Sequence, residues 1–295
     1  MTVGELSRAG VVGALDMANL LPLMELTEGR ADVGIGLIDG EVAAQLSAFS
    51  AAGICTIGVT KPSTGIGREH GTFVAAMLSA SRSSVAPAIS PGCSLVVRPV
   101  FDHSGRGSDP PRASAETLGE AIFECVDAGV RVINLSVAAV GRSGAGERAL
   151  RAALDYAMQN GVLVVAAAGN LGRVGGSAIT AHPWVTAVVG LNARGRPLPA
   201  SDLGPLIARH GLSAPGEDIV SLSSDGRAVR GTGTSVAAPL VTGAIALLYS
   251  EFPTAPAAAV RWTLSMPQVR RRSLVPPKLD AWGAYLQLRE MGNRW

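Results

Sequence analysis

Apolar residues along the chain fall into two kinds of segment. Unbroken apolar runs of about four to eight residues are typical of strands buried in a parallel sheet. Longer segments between them carry apolar residues at helical spacing. The runs predict strands at Val33–Ile38, Ile54–Val59, Ser94–Val100, Val130–Leu135, Val162–Ala167 and Val185–Val189. The spaced segments predict helices at Thr72–Ala80, Ala115–Ala128, Gly146–Asn160 and Ser235–Glu251. This alternation predicts an α/β fold, a doubly wound and mostly parallel sheet with helices on both faces.

The same pattern divides the chain into three regions. Residues 1–30 carry Leu, Val and Met at loosely helical spacing, which predicts a short helical segment. Residues 31–255 hold the alternating strands and helices, and we interpret them as one large α/β domain. Residues 256–295 are predicted to form a C-terminal extension that packs on this domain, with a last helix over Leu279 to Glu290.

The composition excludes two classes of partner. Apolar residues make up 47% of the 295 residues and charged residues 16%, which suits a deep core. Aromatic residues at 4% and a net charge of +2 do not suit a nucleic-acid-binding surface. No stretch reaches the about 20 apolar residues of a membrane span, and Asp16 and Glu25 interrupt the region where a signal peptide would lie. We therefore expect a cytoplasmic protein that binds neither nucleic acid nor membranes.

The sequence lacks the usual signals of a metal or cofactor site. The cysteines Cys55, Cys93 and Cys125 include no C-x-x-C pair, so they indicate neither a zinc site nor a disulfide framework. We interpret them as buried or idle thiols, which favours a reducing compartment. Calcium needs several oxygen ligands, and the sequence has no Asp-rich loop to supply them. The sequence therefore predicts no metal site and no cofactor.

One serine lies in a setting that favours nucleophilic chemistry. Ser235 stands among small residues at the start of a predicted apolar helix. The small neighbours leave room for a substrate, and the helix directs the positive end of its dipole at the hydroxyl. Ser235 could instead simply cap this helix. Because a serine hydroxyl is a weak nucleophile, catalysis would also need a base and an orienting acid.

His70 and Asp39 are the candidates for that base and acid. His70 would open a helix, and Gly71 beside it leaves the imidazole accessible. Asp39 ends a predicted buried strand, and functional groups gather beyond the carboxyl ends of strands in open α/β sheets. A structural histidine and a plain turn at Asp39-Gly40 are the alternatives. The remaining histidines have no motif around them and are interpreted as surface or packing residues; they are His103, His182 and His210.

Asn170 is the candidate for a fourth functional group. It follows Gly169 at the end of another apolar strand. An Asn side chain offers N–H donors without a charge, so beside the nucleophile it would stabilise the oxyanion of a tetrahedral intermediate. Asn170 is also compatible with an ordinary turn.

The blocks around these residues resemble those of the subtilisin-like serine proteases, the subtilases. The chain order Asp39, His70, Ser235 is the order found in subtilisin. The family's histidine block, His-Gly-Thr-x-Val-Ala, and its serine block, Gly-Thr-Ser-x-Ala-x-Pro, are both intact. The matching blocks are residues 70–75, 167–170 and 233–239. Several independent blocks in the right order are a far more specific signal than any one of them.

The resemblance implies a role for each candidate residue. Ser235 would attack the scissile carbonyl, and His70 would take its proton and later pass it to the leaving amine. Asp39 would orient the imidazole, and Asn170 would bind the oxyanion. The substrate would lie extended and add a strand beside residues 134–138. The residues expected to bind it are Ser136, Val137, Ala138, Ala168 and Gly169.

The chain departs from the family pattern at two positions. Most subtilases place Ser or Thr between the catalytic Asp and the glycine, whereas Gly40 follows Asp39 directly. A hydroxyl that helps to fix the carboxylate is therefore missing. The family usually has a glycine close to Ala138, where a methyl group would narrow the pocket for the residue before the cleaved bond. This second departure predicts altered specificity with catalysis retained.

A narrower resemblance concerns the substrate. The Asp-Gly variant and the segment Pro99-Val100-Phe101 are similar to the maturation proteases of cyanobactin-type ribosomal peptide pathways, which cut a leader from a precursor peptide. Only about 32 residues precede Val33, too few for an independent prodomain of ordinary size. The expected function is therefore serine endopeptidase activity on a peptide or protein substrate, in particular a precursor peptide. A catalytically silent peptide-binding module and a general turnover protease stay open. An esterase of another α/β fold is disfavoured because G-x-S-x-G is absent around Ser235.

Overall fold

The structure is a computed structural model of the whole chain. It describes residues 12–58, 65–101, 113–137, 144–265 and 273–292, together with the backbone of residues 139–140. Ala138, which the sequence assigned to substrate binding, lies outside the described residues.

The centre of the fold is a seven-stranded sheet in which every neighbouring pair is parallel. Its strand order is β2-β3-β1-β5-β7-β8-β9. These strands are β1 (Gly34–Asp39), β2 (Gly53–Thr56), β3 (Ser94–Pro99), β5 (Val132–Leu135), β7 (Leu163–Ala167), β8 (Val185–Leu191) and β9 (Leu212–Pro215). Two short pairs lie outside it: β4 (Ala113–Ser114) with β6 (Ala139–Val140), and the antiparallel hairpin of β10 (Ile219–Leu222) and β11 (Ala228–Gly231). Because the central strands are parallel, their carboxyl ends meet at one edge of the sheet.

Helices cover both faces of the sheet. They are α1 (residues 12–17), α2 (Leu21–Leu26), α3 (Ile66–Ser79), α4 (Ala115–Asp127), α5 (Gly144–Gln159), α6 (Pro205–His210), α7 (Thr234–Glu251), α8 (Ala257–Leu264) and α9 (Ala281–Met291). Ile35 and Leu37 of β1 belong to the hydrophobic core formed with α3 and α7. Ile38 belongs to the second core, with α4 and α5. Because successive side chains of a strand point to opposite faces of the sheet, β1 contributes to a core on each face. The predicted doubly wound α/β fold is confirmed.

Helix α7 is the central element of the first core. All but two of its residues, Ser235 and Glu251, are buried. Among the described helices it alone is long and apolar enough to cross a membrane, and 89% of that stretch is buried inside the fold. Its apolar surroundings hold the first turn, which carries Ser235, in a fixed place.

The C-terminal segment closes the β9 edge of the sheet. The N–H of Ser213 in β9 donates to the carbonyl of Pro277 at 2.7 Å, and the N–H of Leu279 donates back to Ser213 at 2.8 Å. Leu279 is fully buried. The N–H of Ala281, at the start of α9, donates to the carbonyl of Ala18, so both ends of the described chain pack together.

The predicted element boundaries differ from the observed ones where polar or glycine residues break the pattern. Helix α3 begins at Ile66, so the predicted start at Thr72 was wrong by more than a turn. Strand β1 runs through Asp39, which still pairs with Pro99 of β3. Strand β9, the β10–β11 hairpin, and helices α6 and α8 were not predicted.

Candidate active site

Asp39 is the last residue of β1 and is completely buried. Its Oδ1 accepts two hydrogen bonds, from the N–H of Gly40 and from Nδ1 of His70, both at 2.7 Å. Its Oδ2 is buried and has no hydrogen-bond partner among the described residues. The hydroxyl that the sequence lacks at residue 40 is therefore not replaced by any other described protein group.

The absence of a side chain at residue 40 has a direct structural cause. A Cβ on Gly40 would overlap the carbonyl oxygen of Gly67 in the first turn of α3. A Cβ on Gly71 would overlap the carbonyl oxygens of Gly40 and Glu41. Glycines thus let α3 lie directly on the backbone that follows β1. This close approach brings His70, which lies between Gly67 and Gly71, to the Asp39 carboxylate.

His70 lies between the acid and the serine. A carboxylate can only accept, so Nδ1 of His70 carries the proton that is donated to Asp39. Nε2 then presents its lone pair to Oγ of Ser235, 3.1 Å away. The imidazole is 25% exposed, and the ring of Phe101 meets it edge-on with centroids 6.5 Å apart.

The surroundings of His70 raise the pKa of its imidazole above the ordinary value of 6.5. Burial of the ring disfavours the charged form and opposes this change. The negative charge of Asp39 and its hydrogen bond favour the imidazolium and outweigh burial. The site therefore stabilises the protonated histidine that forms when Ser235 loses its proton.

Asn170 lies beside the first turn of α7. Its Oδ1 accepts the backbone N–H of Thr234 at 2.9 Å and the Thr234 hydroxyl at 3.1 Å. Because a backbone N–H can only donate, this contact assigns the oxygen end of the amide and leaves the Nδ2 donors for the exposed side. A Cβ at Gly233 would lie 3.2 Å from Nδ2, so these donors lie close to the backbone of Gly233, two positions before Ser235.

The loop after Asn170 is held by Asp202. The Asp202 carboxylate accepts the backbone N–H groups of Leu171 at 3.1 Å and Arg173 at 2.8 Å. The N–H of Asp202 in turn donates to the carbonyl of Gly169. Sequence reasoning did not assign this role to Asp202. An aspartate in a loop has no local signal that its partner lies some 30 positions earlier in the chain.

Among the described residues expected to bind substrate, Ser136 and Gly169 hydrogen-bond to the first turn of α7, but most of the side chains are turned inward. Val137 is 7% exposed and packs in the second core, and Ala168 is 4% exposed in a small cluster near α6. Ser136 is 6% exposed and donates to the carbonyl of Ser235. Substrate contact by Val137 or Ala168 would therefore use backbone groups, as strand addition requires. Their role in substrate binding stays a prediction.

No group of three or more metal-ligating side chains occurs among the described residues. The three cysteines are unpaired, with Cys55 exposed and the other two buried. Burial raises the pKa of the Cys125 thiol to about 12, so this thiol stays protonated and unreactive. Outside the site, the buried His182 donates to Asp155 and accepts from the N–H of Trp184, which satisfies both ring nitrogens.

Residues 35–277 match the subtilase family, Peptidase S8. The chain therefore belongs to the subtilase family, and the resemblance stated from its sequence blocks is confirmed. Subtilisin DY from Bacillus licheniformis is 30% identical over 240 residues, which cover 80% of this chain and 83% of that protein. The chain spans about half the length of several other curated relatives, 51% of one and 49% of another.

Two solved structures of maturation proteases have the same fold. The patellamide maturation protease PatA is 32% identical with a TM-score of 0.76, covering 89% of this chain and 98% of that one. The prenylagaramide maturation protease PagA is 27% identical with a TM-score of 0.80, covering 91% of this chain and 98% of that one. The narrower sequence resemblance and the structural similarity thus point to the same branch of the family.

Proposed function

We propose that the protein is a serine endopeptidase in which Asp39, His70 and Ser235 form the catalytic triad. The observation that carries the proposal is the unbroken hydrogen-bonded line from the Asp39 carboxylate through His70 to the Ser235 hydroxyl, at 2.7 and 3.1 Å. A binding module would have no use for a serine hydroxyl held against the lone pair of an oriented imidazole. The geometry therefore favours an enzyme over the catalytically silent alternative.

Acylation would begin at the serine. His70 takes the proton of Ser235 through Nε2 as Oγ forms a bond to the scissile carbonyl carbon. The resulting imidazolium is stabilised by Asp39, and it passes its proton to the leaving amine as the peptide bond breaks. Water then attacks the acyl carbon while His70 takes one of its protons. The bond from that carbon to Oγ breaks, His70 returns the proton to Oγ, and the acyl group leaves as a carboxylic acid.

Two donors would stabilise the oxyanion of each tetrahedral intermediate. One is the Nδ2 amide of Asn170, which is oriented by Thr234 through the opposite end of the side chain. The other is the backbone N–H of Ser235 in the first turn of α7, where the helix dipole adds positive potential. Removing one such donor typically costs about 10²–10³ in kcat.

The proposed substrate is a ribosomally made precursor peptide from which the enzyme removes a leader. The support is the similarity to two proteases whose names describe the maturation of patellamide and prenylagaramide. The substrate would bind extended beside the end of β5, with the backbones of Val137, Ala168 and Gly169 among its contacts. The cytoplasmic location expected from the sequence stays a prediction, which cell fractionation tests.

Labelling with a fluorophosphonate probe tests the enzyme assignment. The wild-type protein should be labelled, and Ser235→Ala should not, because only an activated serine reacts with the probe. Ser83→Ala removes an exposed hydroxyl that follows the C-terminal end of α3, whereas His70 lies near the start of that helix, and this variant should be labelled like the wild type. The assignment is wrong if folded wild-type protein is not labelled, or if Ser235→Ala is labelled equally.

The processing role is tested with substrates of two kinds. A mixture of extended synthetic peptides should be cut at a restricted set of bonds, with mass spectrometry identifying each site. Fluorescent unfolded casein should be cut far more slowly. Rapid cleavage of casein at many sites would instead support the general turnover protease.

A further inference from the structure

Three buried polar side chains form a line of hydrogen bonds that ends on the backbone of the nucleophile. The Thr242 hydroxyl donates to Oδ1 of Asn134 at 2.9 Å. Nδ2 of Asn134 donates to Oγ of Ser136 at 2.8 Å, and the Ser136 hydroxyl donates to the carbonyl oxygen of Ser235 at 2.9 Å. Asn134 and Thr242 are fully buried, and Ser136 is 6% exposed. In such a low-dielectric interior, a satisfied polar chain rigidifies the groups that it joins.

Pro239 explains why the Ser235 carbonyl needs a donor from outside its helix. In an α-helix the carbonyl of residue 235 would accept the backbone N–H of residue 239. Residue 239 is a proline inside α7, so this N–H does not exist. The proline ring also crowds the carbonyl four residues earlier. The first turn of α7 therefore lacks the hydrogen bond that would normally fix it, and Ser136 supplies one in its place.

The line joins two elements that carry different parts of the site. Asn134 lies in β5, and Ser136 follows two positions later, so both point to the same face of the sheet. Thr242 lies in α7 itself, two turns beyond Ser235. The end of β5 is therefore hydrogen-bonded to α7 at two points, Ser235 and Thr242. These two bonds fix both the position and the direction of the first turn of the helix.

We propose that Ser136, Asn134 and Thr242 are positioning residues for the nucleophile. They hold the Ser235 carbonyl in place of the missing N–H of Pro239, so that Oγ stays within reach of the His70 imidazole. The inference rests on the proposed serine endopeptidase function, and it reinterprets Ser136, which the sequence assigned to substrate binding. A residue that binds substrate acts on KM, whereas one that positions the nucleophile acts on kcat.

Replacing Ser136 by alanine separates these two roles. Ser136→Ala should lower kcat and the rate of fluorophosphonate labelling by about 10- to 100-fold, since a displacement of about 1 Å costs up to 10²-fold. KM for a peptide substrate should change by less than about threefold. The matched control is Ser90→Ala, which removes another buried serine hydroxyl that donates to a backbone carbonyl, that of Leu78. Ser90→Ala should leave kcat unchanged.

The inference is overturned if Ser136→Ala slows labelling no more than Ser90→Ala, or if it raises KM with kcat unchanged. Thr242→Val provides a second test at the far end of the line. It is nearly isosteric and leaves Oδ1 of Asn134 without its donor. Thr242→Val should lower kcat by about tenfold although residue 242 lies two turns from the serine. An unchanged kcat would show that Thr242 does not help to position Ser235.

A double-mutant cycle with Pro239→Ala tests the mechanism itself. Alanine restores the N–H at residue 239, and it suits a helix interior well. In this background Ser136→Ala should cost less than about threefold in labelling rate, because the carbonyl of Ser235 regains its helical donor. Equal losses of labelling rate in both backgrounds would show that Ser136 does not act in place of that N–H.

The same cycle, measured as free energy of unfolding by chemical denaturation, requires no activity. The destabilisation caused by Ser136→Ala should be smaller in Pro239→Ala than in the wild type. If the wild type is not labelled but this coupling is present, the proposed function fails and the structural link stands. If the wild type is labelled and no coupling is found by either measurement, this inference alone fails.

Discussion

The Asp39 carboxylate affects the pH range of activity because it changes the pKa of His70. Only the neutral imidazole can take the proton of Ser235, and Asp39 raises the pKa of His70 above 6.5. We therefore expect kcat/KM to fall as the pH falls through a value above 6.5, which a pH profile of peptide cleavage measures.

Asp39→Asn should reverse this effect. Without the negative charge, burial of the ring is the main remaining influence, and it lowers the pKa of His70 below 6.5. Activity should drop by about 10⁴-fold, as it does when the acid of a related triad is removed. NMR titration of the histidine ring measures the pKa even in this weakly active variant.

Asp39 and His70, the proposed acid and base, could both be singled out from the sequence because each lies in a local pattern. Asp39 ends an apolar run, and His70 precedes an apolar helical segment. The distance between them was not predictable. It depends on how closely α3 lies on the chain after β1, and that contact involves residues 40, 67 and 71, which are spread over two elements.

At the scale of elements, the first turn of α3 shows how packing overrides local propensity. Glycine disfavours helix, so Gly67 and Gly71 hid the true start of α3 from pattern analysis. Gly71 is required because the carbonyl oxygens of Gly40 and Glu41 occupy the space of its side chain, and a Cβ on Gly67 would lie 3.1 Å from the ring of Phe101. Helix formation here is a consequence of tertiary contact rather than of the local sequence.

This contact predicts that the residue usual in other subtilases cannot be restored. Gly40→Ser would restore a hydroxyl at the position after Asp39, whose Oδ2 is unpartnered, but its Cβ would collide with the carbonyl of Gly67. α3 would have to move away and carry His70 with it. We expect kcat/KM to fall by about 100-fold or more in a peptide cleavage assay.

Gly53→Ser is the matched control for this substitution. A Cβ at Gly53, in the exposed strand β2, has no neighbour closer than 3.7 Å. Its activity should be that of the wild type. A Gly40→Ser variant as active as the wild type would show that α3 can shift without loss. A more active variant would show that the missing hydroxyl limits catalysis.

At the scale of the whole molecule, the C-terminal segment belongs to the folded unit. It pairs with β9 through Ser213, and Leu279 is fully buried in the core shared by α3 and α7. Leu279→Ala should lower the free energy of unfolding by about 2–5 kcal/mol, which urea denaturation measures. Leu274→Ala, at a leucine that is 40% exposed, should cost far less. Equal effects of the two would mean that the segment contributes little to the core.

Strand β9, which pairs with this segment at the edge of the sheet, was not predicted from the sequence. Strand β9 is only four residues long and ends in proline, so its sequence has neither the length nor the apolar run of the inner strands. Its place in the sheet depends on β8 on one side and on residues 277–279 on the other. The inner strands needed no such support to be predicted, because burial on both faces leaves an unbroken apolar run.

The sequence by itself determined the α/β class, the inner strands, the long helices and the identity of the acid, base, nucleophile and oxyanion candidates. Each of these is encoded within a few neighbouring residues, through apolar periodicity or a compact block. The tertiary structure alone decided how α3 meets the chain after β1, which end of the Asn170 amide faces Thr234, and that the Ser136 hydroxyl bonds to the Ser235 carbonyl. Such contacts join residues far apart in the chain, and they form only when packing of the two cores fixes the distance between the elements that carry them.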